Sequence, residues 1–139
     1  MLHHTGSALK SALSWLRSPL SKVSADFVIS KKGEIYKLNP NLSLYYTWHA
    51  GTSKWGVYKS VNPISFGIEQ EHLIGEDWPE EQVKSAARVC YYLSQKFGKG
   101  ERLAILSHAA VAIPKGRKTD PENYPWRLFS QYFHEYDEQ

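Results

Sequence analysis

The side chains best suited to chemistry lie late in the chain, in Ser107-His108-Ala109-Ala110-Val111-Ala112-Ile113-Pro114-Lys115-Gly116-Arg117-Lys118-Thr119-Asp120-Pro121. The apolar run before it, Leu103-Ala104-Ile105-Leu106, reads as a buried strand that delivers His108 to the mouth of a loop. Pro114 and Gly116 let that loop fold back on itself, and it then presents Lys118 and Asp120 close together. A histidine, a carboxylate and a lysine at one point suit a hydrolytic metal site. Imidazole and carboxylate hold zinc at roughly 2.0–2.2 Å, and a cation stabilises a developing oxyanion. The same residues also allow a plainer reading, a histidine hydrogen-bonded at a strand end and an aspartate capping the next helix.

A second histidine site, His3-His4, bears on that choice. Neighbours on a strand point to opposite faces, so at most one of the two serves a given site. His3 is the candidate ligand, and His4 reads as a packed or solvent-facing ring.

The elements that must position these groups follow from pattern. Leu9, Ala12, Leu13 and Leu16 form a helical stripe over residues 8–17, with Ser7 as cap and Pro19 as stop. Phe27-Val28-Ile29 and Glu34 to Leu38 read as a hairpin around Lys32-Gly33. Ile64 to Glu71 reads as a further strand, with Glu69 on its less apolar face near the end. Pro79, Glu80 and Glu81 open a helix whose stripe runs through Val83, Ala86, Ala87, Cys90, Leu93 and Phe97 to Gly98. A last helix starts near Pro125, with Trp126, Phe129, Tyr132 and Phe133 inward. Strands interleaved with helices imply an α/β fold, one domain over residues 1–139 with a central mixed β-sheet flanked by helices.

Composition narrows the partners. A length of 139 residues fits one domain, and the net charge of +3 with a pI near 8.9 is only mildly basic. An anionic partner such as cell wall is compatible with it. With no block of five or more like charges there is no nucleic-acid tail. No apolar stretch is long enough to span a membrane, so neither nucleic acid nor membrane is an expected partner, and a monomer is expected. Cys90 stands alone, which precludes an internal disulfide and fits a reducing compartment. Residues 1–30 lack a secretory leader's pattern, and a cytoplasmic location is expected. Tyr45, Tyr46, Trp48, Trp55 and Tyr58 crowd a stretch that otherwise reads as loop, either exposed for sugar contact or packed as a satellite core.

Four segments, Leu2-His3-His4-Thr5-Gly6, Trp48-His49-Ala50-Gly51, Ser65-Phe66-Gly67-Ile68-Glu69 and Gly116-Arg117-Lys118-Thr119-Asp120-Pro121, occur here in the order and rough spacing of the type-2 N-acetylmuramoyl-L-alanine amidases. The chain resembles that family, which includes phage endolysins, muropeptide-recycling amidases and peptidoglycan recognition proteins. The resemblance implies a Zn2+ enzyme that cuts the amide between the lactyl group of N-acetylmuramic acid and L-alanine of the stem peptide. His3, His108 and Asp120 correspond to the protein ligands, leaving a fourth position for water. Glu69 corresponds to the general base and Lys118 to the oxyanion-stabilising lysine. Some branches carry a catalytic tyrosine before the first hairpin strand; Ala25-Asp26 stands there, so such a role falls to Glu69. Trp48 and His49 either contact the glycan or shape the site floor, and Arg117 either meets a stem-peptide carboxylate or serves the surface. The implied partner is peptidoglycan or a muropeptide. A phage-type endolysin, released to the wall at lysis, is the first expectation. A cytoplasmic recycling amidase for anhydro-muropeptides is the alternative, and a non-catalytic peptidoglycan-binding module ranks last.

Overall fold

Two parallel strand pairings carry the site. In the computed structural model, which describes residues 1–139, β1 (Leu2–His4) pairs in parallel with β4 (Ile68–Gln70), and β4 pairs in parallel with β2 (Phe27–Ile29). An antiparallel partner for β2, β3 (Ile35–Lys37), completes a four-stranded mixed sheet of order β1-β4-β2-β3. Leu2 of β1, Val28 and Ile29 of β2 and Ile68 of β4 are all buried, so the middle of the sheet is covered on both faces. The register sets His3 beside Glu69. Alternation then turns both side chains to the face opposite Leu2 and Ile68.

Four helices flank the sheet: α1 (Leu9–Arg17), α2 (Glu80–Phe97), α3 (His108–Val111) and α4 (Trp126–Asp137). The expected α2 stripe is realised, with Val83, Ala86, Ala87, Cys90 and Leu93 buried against the sheet and against Phe129 and Phe133 of α4. Trp126 sits at the rim instead, 37% exposed. The hairpin turn requires Gly33, whose φ is +84° and whose missing Cβ would lie 2.7 Å from the Glu81 carbonyl oxygen. No helix is long and apolar enough to cross a membrane.

The structure corrects several boundaries. Leu103–Leu106 is not a buried strand: it meets β1 through one hydrogen bond, Leu2 N to Leu106 O at 2.8 Å, and a single bridge at Ser107. The strand expected from Ile64 covers only Ile68–Gln70. Pro63 places Asn62–Ile64 in a 3-10 turn, and the Gly67 N–H is taken by the Asp26 carboxylate at 2.7 Å rather than by a ladder. Ser7 does not cap α1. The Glu71 carboxylate does so from β4's end, accepting from Leu9 N at 3.0 Å. Pro79 is the N-cap of α2 rather than its first helical residue.

Candidate metal centre

His3 reaches the site from the carboxyl end of β1, the side of a parallel sheet where ligands collect. His108 arrives by a route the sequence pattern did not give. Ser107 is a helix N-cap whose Oγ accepts from Ala110 N at 3.1 Å, and His108 opens a single helical turn rather than a loop. Asp120 is tied to that turn through its own carbonyl, which accepts from Ala109 N at 3.0 Å. The segment after Asp120 is clamped to β1 as well. Glu122 N donates to His4 Nδ1 at 3.0 Å, and the Glu122 carboxylate lies 2.9 Å from His72 Nε2. His4 is therefore a packed ring, stacked on His72 with centroids 5.5 Å apart.

Three side chains from the two ends of the chain meet. His3 Nδ1 lies 3.0 Å from His108 Nδ1 and 3.1 Å from Asp120 Oδ2, and His108 Nδ1 lies 3.2 Å from the same oxygen. All three residues are buried. Burial holds the His3 imidazole down to about 4, so it is neutral at pH 7. The Nε2 of His108 lies 2.8 Å from the Ala50 carbonyl. A carbonyl only accepts, so Nε2 carries a hydrogen, and a ring with its single hydrogen there has a bare Nδ1. Ligands at about 2.0–2.1 Å around a tetrahedral zinc stand roughly 3.3 Å apart. The donor set and its spacing therefore fit a divalent ion of the zinc class.

Glu69 flanks this set, with Oε1 3.8 Å from His3 Nδ1. Its other oxygen is buried and has no hydrogen-bond partner. Burial, and secondarily the charge of Asp120, pushes this carboxyl well above its ordinary value of 4.5, while Lys118 pulls the other way. Lys118 is exposed, lines the same cleft and takes part in no ion pair.

The remaining site residues divide. Trp48 is 57% exposed on the cleft wall. The His49 ring is buried behind His3, with Nδ1 3.0 Å from His3 Nε2 and Nε2 3.0 Å from Ser65 Oγ. Both ring nitrogens are thus engaged within the protein. Arg117 spends its guanidinium on the carbonyls of Ile113, Ala50 and Thr52, at 2.9, 3.1 and 2.8 Å. These bonds, made by Nε and Nη2, brace the loop, and Arg117 also lines the cleft.

Sequence reasoning passed over Trp15, which is 57% exposed and lines the same cleft. Its signal was present: a tryptophan off the apolar stripe of an amphipathic helix. The cleft has a volume of about 740 Å³. A second cleft of about 730 Å³ lies elsewhere, lined by Leu44, Tyr45, Tyr46, Trp55 and Tyr58, with no histidine. The aromatic loop rings are thus exposed rather than packed as a satellite core.

A buried imidazole–imidazole–carboxylate set beside an unpaired acid, in a cleft at the ends of parallel strands, has the make-up of a cation-assisted hydrolytic centre. Residues 1–123 match the family model for N-acetylmuramoyl-L-alanine amidase, and the chain belongs to that family. No curated protein matches it. Among solved structures it is similar to AmpDH3 from Pseudomonas aeruginosa in complex with anhydromuramic pentapeptide, at 22% identity and TM-score 0.82, over 94% of this chain and 57% of that one. It is similar to the amidase AmiD from E. coli in complex with an anhydro-N-acetylmuramic acid peptide substrate, at 26% identity and TM-score 0.77, over 94% and 55%. It is also similar to the amidase LysC from Clostridium intestinale, at 20% identity and TM-score 0.68, over 96% and 82%. The chain thus spans little more than half the length of the first two.

Proposed function

We propose that this chain hydrolyses the amide between the lactyl group of N-acetylmuramic acid and L-alanine of the peptidoglycan stem, with a zinc ion as cofactor. The observation that carries the reading is the convergence of His3, His108 and Asp120 beside Glu69, whose Oε2 is buried without a hydrogen-bond partner. Family membership supports it.

His3, His108 and Asp120 would hold the ion. Bound there, zinc supplies Lewis acidity, which polarises a carbonyl and makes water easier to deprotonate near neutral pH. Glu69 as carboxylate takes a proton from the attacking water. Oxygen bonds to the lactyl carbonyl carbon, and the C–N bond breaks as Glu69 passes that proton to the departing alanine nitrogen. The Lys118 ammonium faces the oxyanion that forms in between. Trp15 and Trp48 offer flat apolar faces to the sugar. Each Trp→Ala change is expected to raise KM roughly fivefold, about 1 kcal/mol of ring contact, with kcat little altered. Steady-state kinetics checks this, and an unchanged KM in both variants would remove the indoles from substrate binding.

The exposed indoles and the open groove suit a glycan strand, as a phage-type endolysin acting on the wall requires. The anhydro-muropeptide ligands of the AmpDH3 and AmiD structures favour a second reading, turnover of small soluble muropeptides. Digestion of intact sacculi and of purified anhydro-muropeptides, each followed by mass spectrometry, tests both. Release of free stem peptides beginning with L-alanine, abolished by a chelator, is expected. Glycan cleavage, or activity indifferent to chelation, would overturn the reaction or the metal. The faster substrate decides the role.

A further inference from the structure

Both candidate ligand histidines make their second contact with one dipeptide. His49 meets Nε2 of His3, and the Ala50 carbonyl meets Nε2 of His108. The dipeptide is held in turn by Asn62, whose Oδ1 accepts from His49 N at 3.2 Å and Ala50 N at 2.9 Å. Room for the His49 ring comes from Gly67, where a Cβ would lie 2.4 Å from His49 Cγ.

Hydrogens can be placed by following donors inward from a fixed acceptor. The Val61 carbonyl only accepts, so the Ser65 hydroxyl, 2.5 Å away, donates to it. Ser65 Oγ must then accept from His49 Nε2–H at 3.0 Å. A neutral His49 with its hydrogen on Nε2 has a bare Nδ1. That atom can only accept, so His3 Nε2 donates to it at 3.0 Å. The last consequence is a bare Nδ1 on His3, pointing at His108 Nδ1 and Asp120. Three acceptor atoms then face one another with no hydrogen between them.

We propose that Ser65 and His49 form a relay that fixes His3 in the tautomer with a bare Nδ1, while the Ala50 carbonyl fixes His108 likewise, so that the two rings are set for a cation before one arrives. The inference rests on the metal reading above. It makes His49 and Ser65 positioning residues: they touch neither ion nor substrate and act through His3. Partners of this kind are worth about 10–100-fold in metal affinity.

The test is zinc affinity by competition with a chromophoric chelator, in wild type, His49→Leu, His49→Asn and Ser65→Ala. Asparagine can put an amide oxygen near the place of Nδ1, whereas leucine leaves His3 Nε2–H unaccepted. A loss of about 10–100-fold in His49→Leu, largely restored in His49→Asn, with a smaller loss in Ser65→Ala, is expected. Equal affinities for wild type and His49→Leu, or equal losses for the leucine and asparagine variants, would overturn the relay. Long-range ¹H–¹⁵N spectra of the zinc-free wild type need no folded variant. They are expected to show His3, His49 and His108 all protonated at Nε2. A His3 ring protonated at Nδ1 would sink the proposal. Failure of wild type to bind zinc at all would instead count against the metal reading, leaving the tautomer spectra to decide the relay on their own.

Discussion

Glu69→Gln is expected to lower turnover by about 10²–10⁴-fold while leaving metal stoichiometry intact. The range is that of a positioned general acid–base group, and ~3–5 kcal/mol of barrier corresponds to it. Glutamine keeps the shape and one acceptor oxygen but cannot take a proton. The same change is expected to stabilise the metal-free protein at neutral pH. Glu69 is buried with Oε2 unpartnered, and burial holds its carboxyl well above 4.5 in the folded chain. Between 4.5 and that raised value the folded chain keeps a proton the unfolded chain has lost. Its contribution to stability is therefore full below 4.5 and lost as pH rises through the folded pKa. Removing the carboxyl removes that loss, so the variant is expected to gain stability relative to wild type as pH rises above 4.5. Thermal unfolding of both proteins against pH, in excess chelator, checks it: the curves should converge in acid and separate toward pH 8. In the loaded enzyme a nearby cation draws the carboxyl's pKa down again. The rate should therefore fall on the acid side as Glu69 takes up its proton, a limb the glutamine variant lacks. A Glu69→Gln enzyme as fast as wild type would remove Glu69 from the mechanism.

Asp120→Ala is expected to cost more than about 100-fold in zinc affinity, beyond the loss of a supporting partner alone. Asp120 is the one carboxylate of the proposed ligand set, whose other two members are imidazoles. The fold should survive, because the Asp120 backbone carbonyl and not its side chain ties this loop to Ala109. Calorimetry separates the two effects. Zinc at a hundred times its dissociation constant stabilises the wild type by ~2.7 kcal/mol. That increment should vanish in Asp120→Ala, while the metal-free transitions stay close. Equal zinc-induced stabilisation in both proteins would remove Asp120 from the ligand set.

Much of this site could be read from residue order, for reasons that differ by residue. His3, Glu69 and Asp120 sit in short segments whose neighbours are distinctive, and strand alternation alone separates His3 from His4. The α2 stripe is long enough for its period to be unambiguous, so the helix and its buried face follow directly. The missed features depend on contacts across the chain. Glu71 caps α1 from 62 positions away, which no local cap pattern reveals. The α3 turn has four residues, too few for a helical period. Leu103–Leu106 has a strand's composition, but a ladder needs a partner and β1 offers it only one bridge. His49 could face in or out on sequence alone; the absent Cβ of Gly67 is what lets its ring lie against β4 and reach His3.

The most direct measurement is an anomalous difference map at the zinc edge from crystals of the zinc-loaded protein. One peak is predicted, bounded by His3 Nδ1, His108 Nδ1 and an oxygen of Asp120 at about 2.0–2.2 Å. A map with no peak among those three atoms, or with its strongest peak elsewhere, would contradict the account.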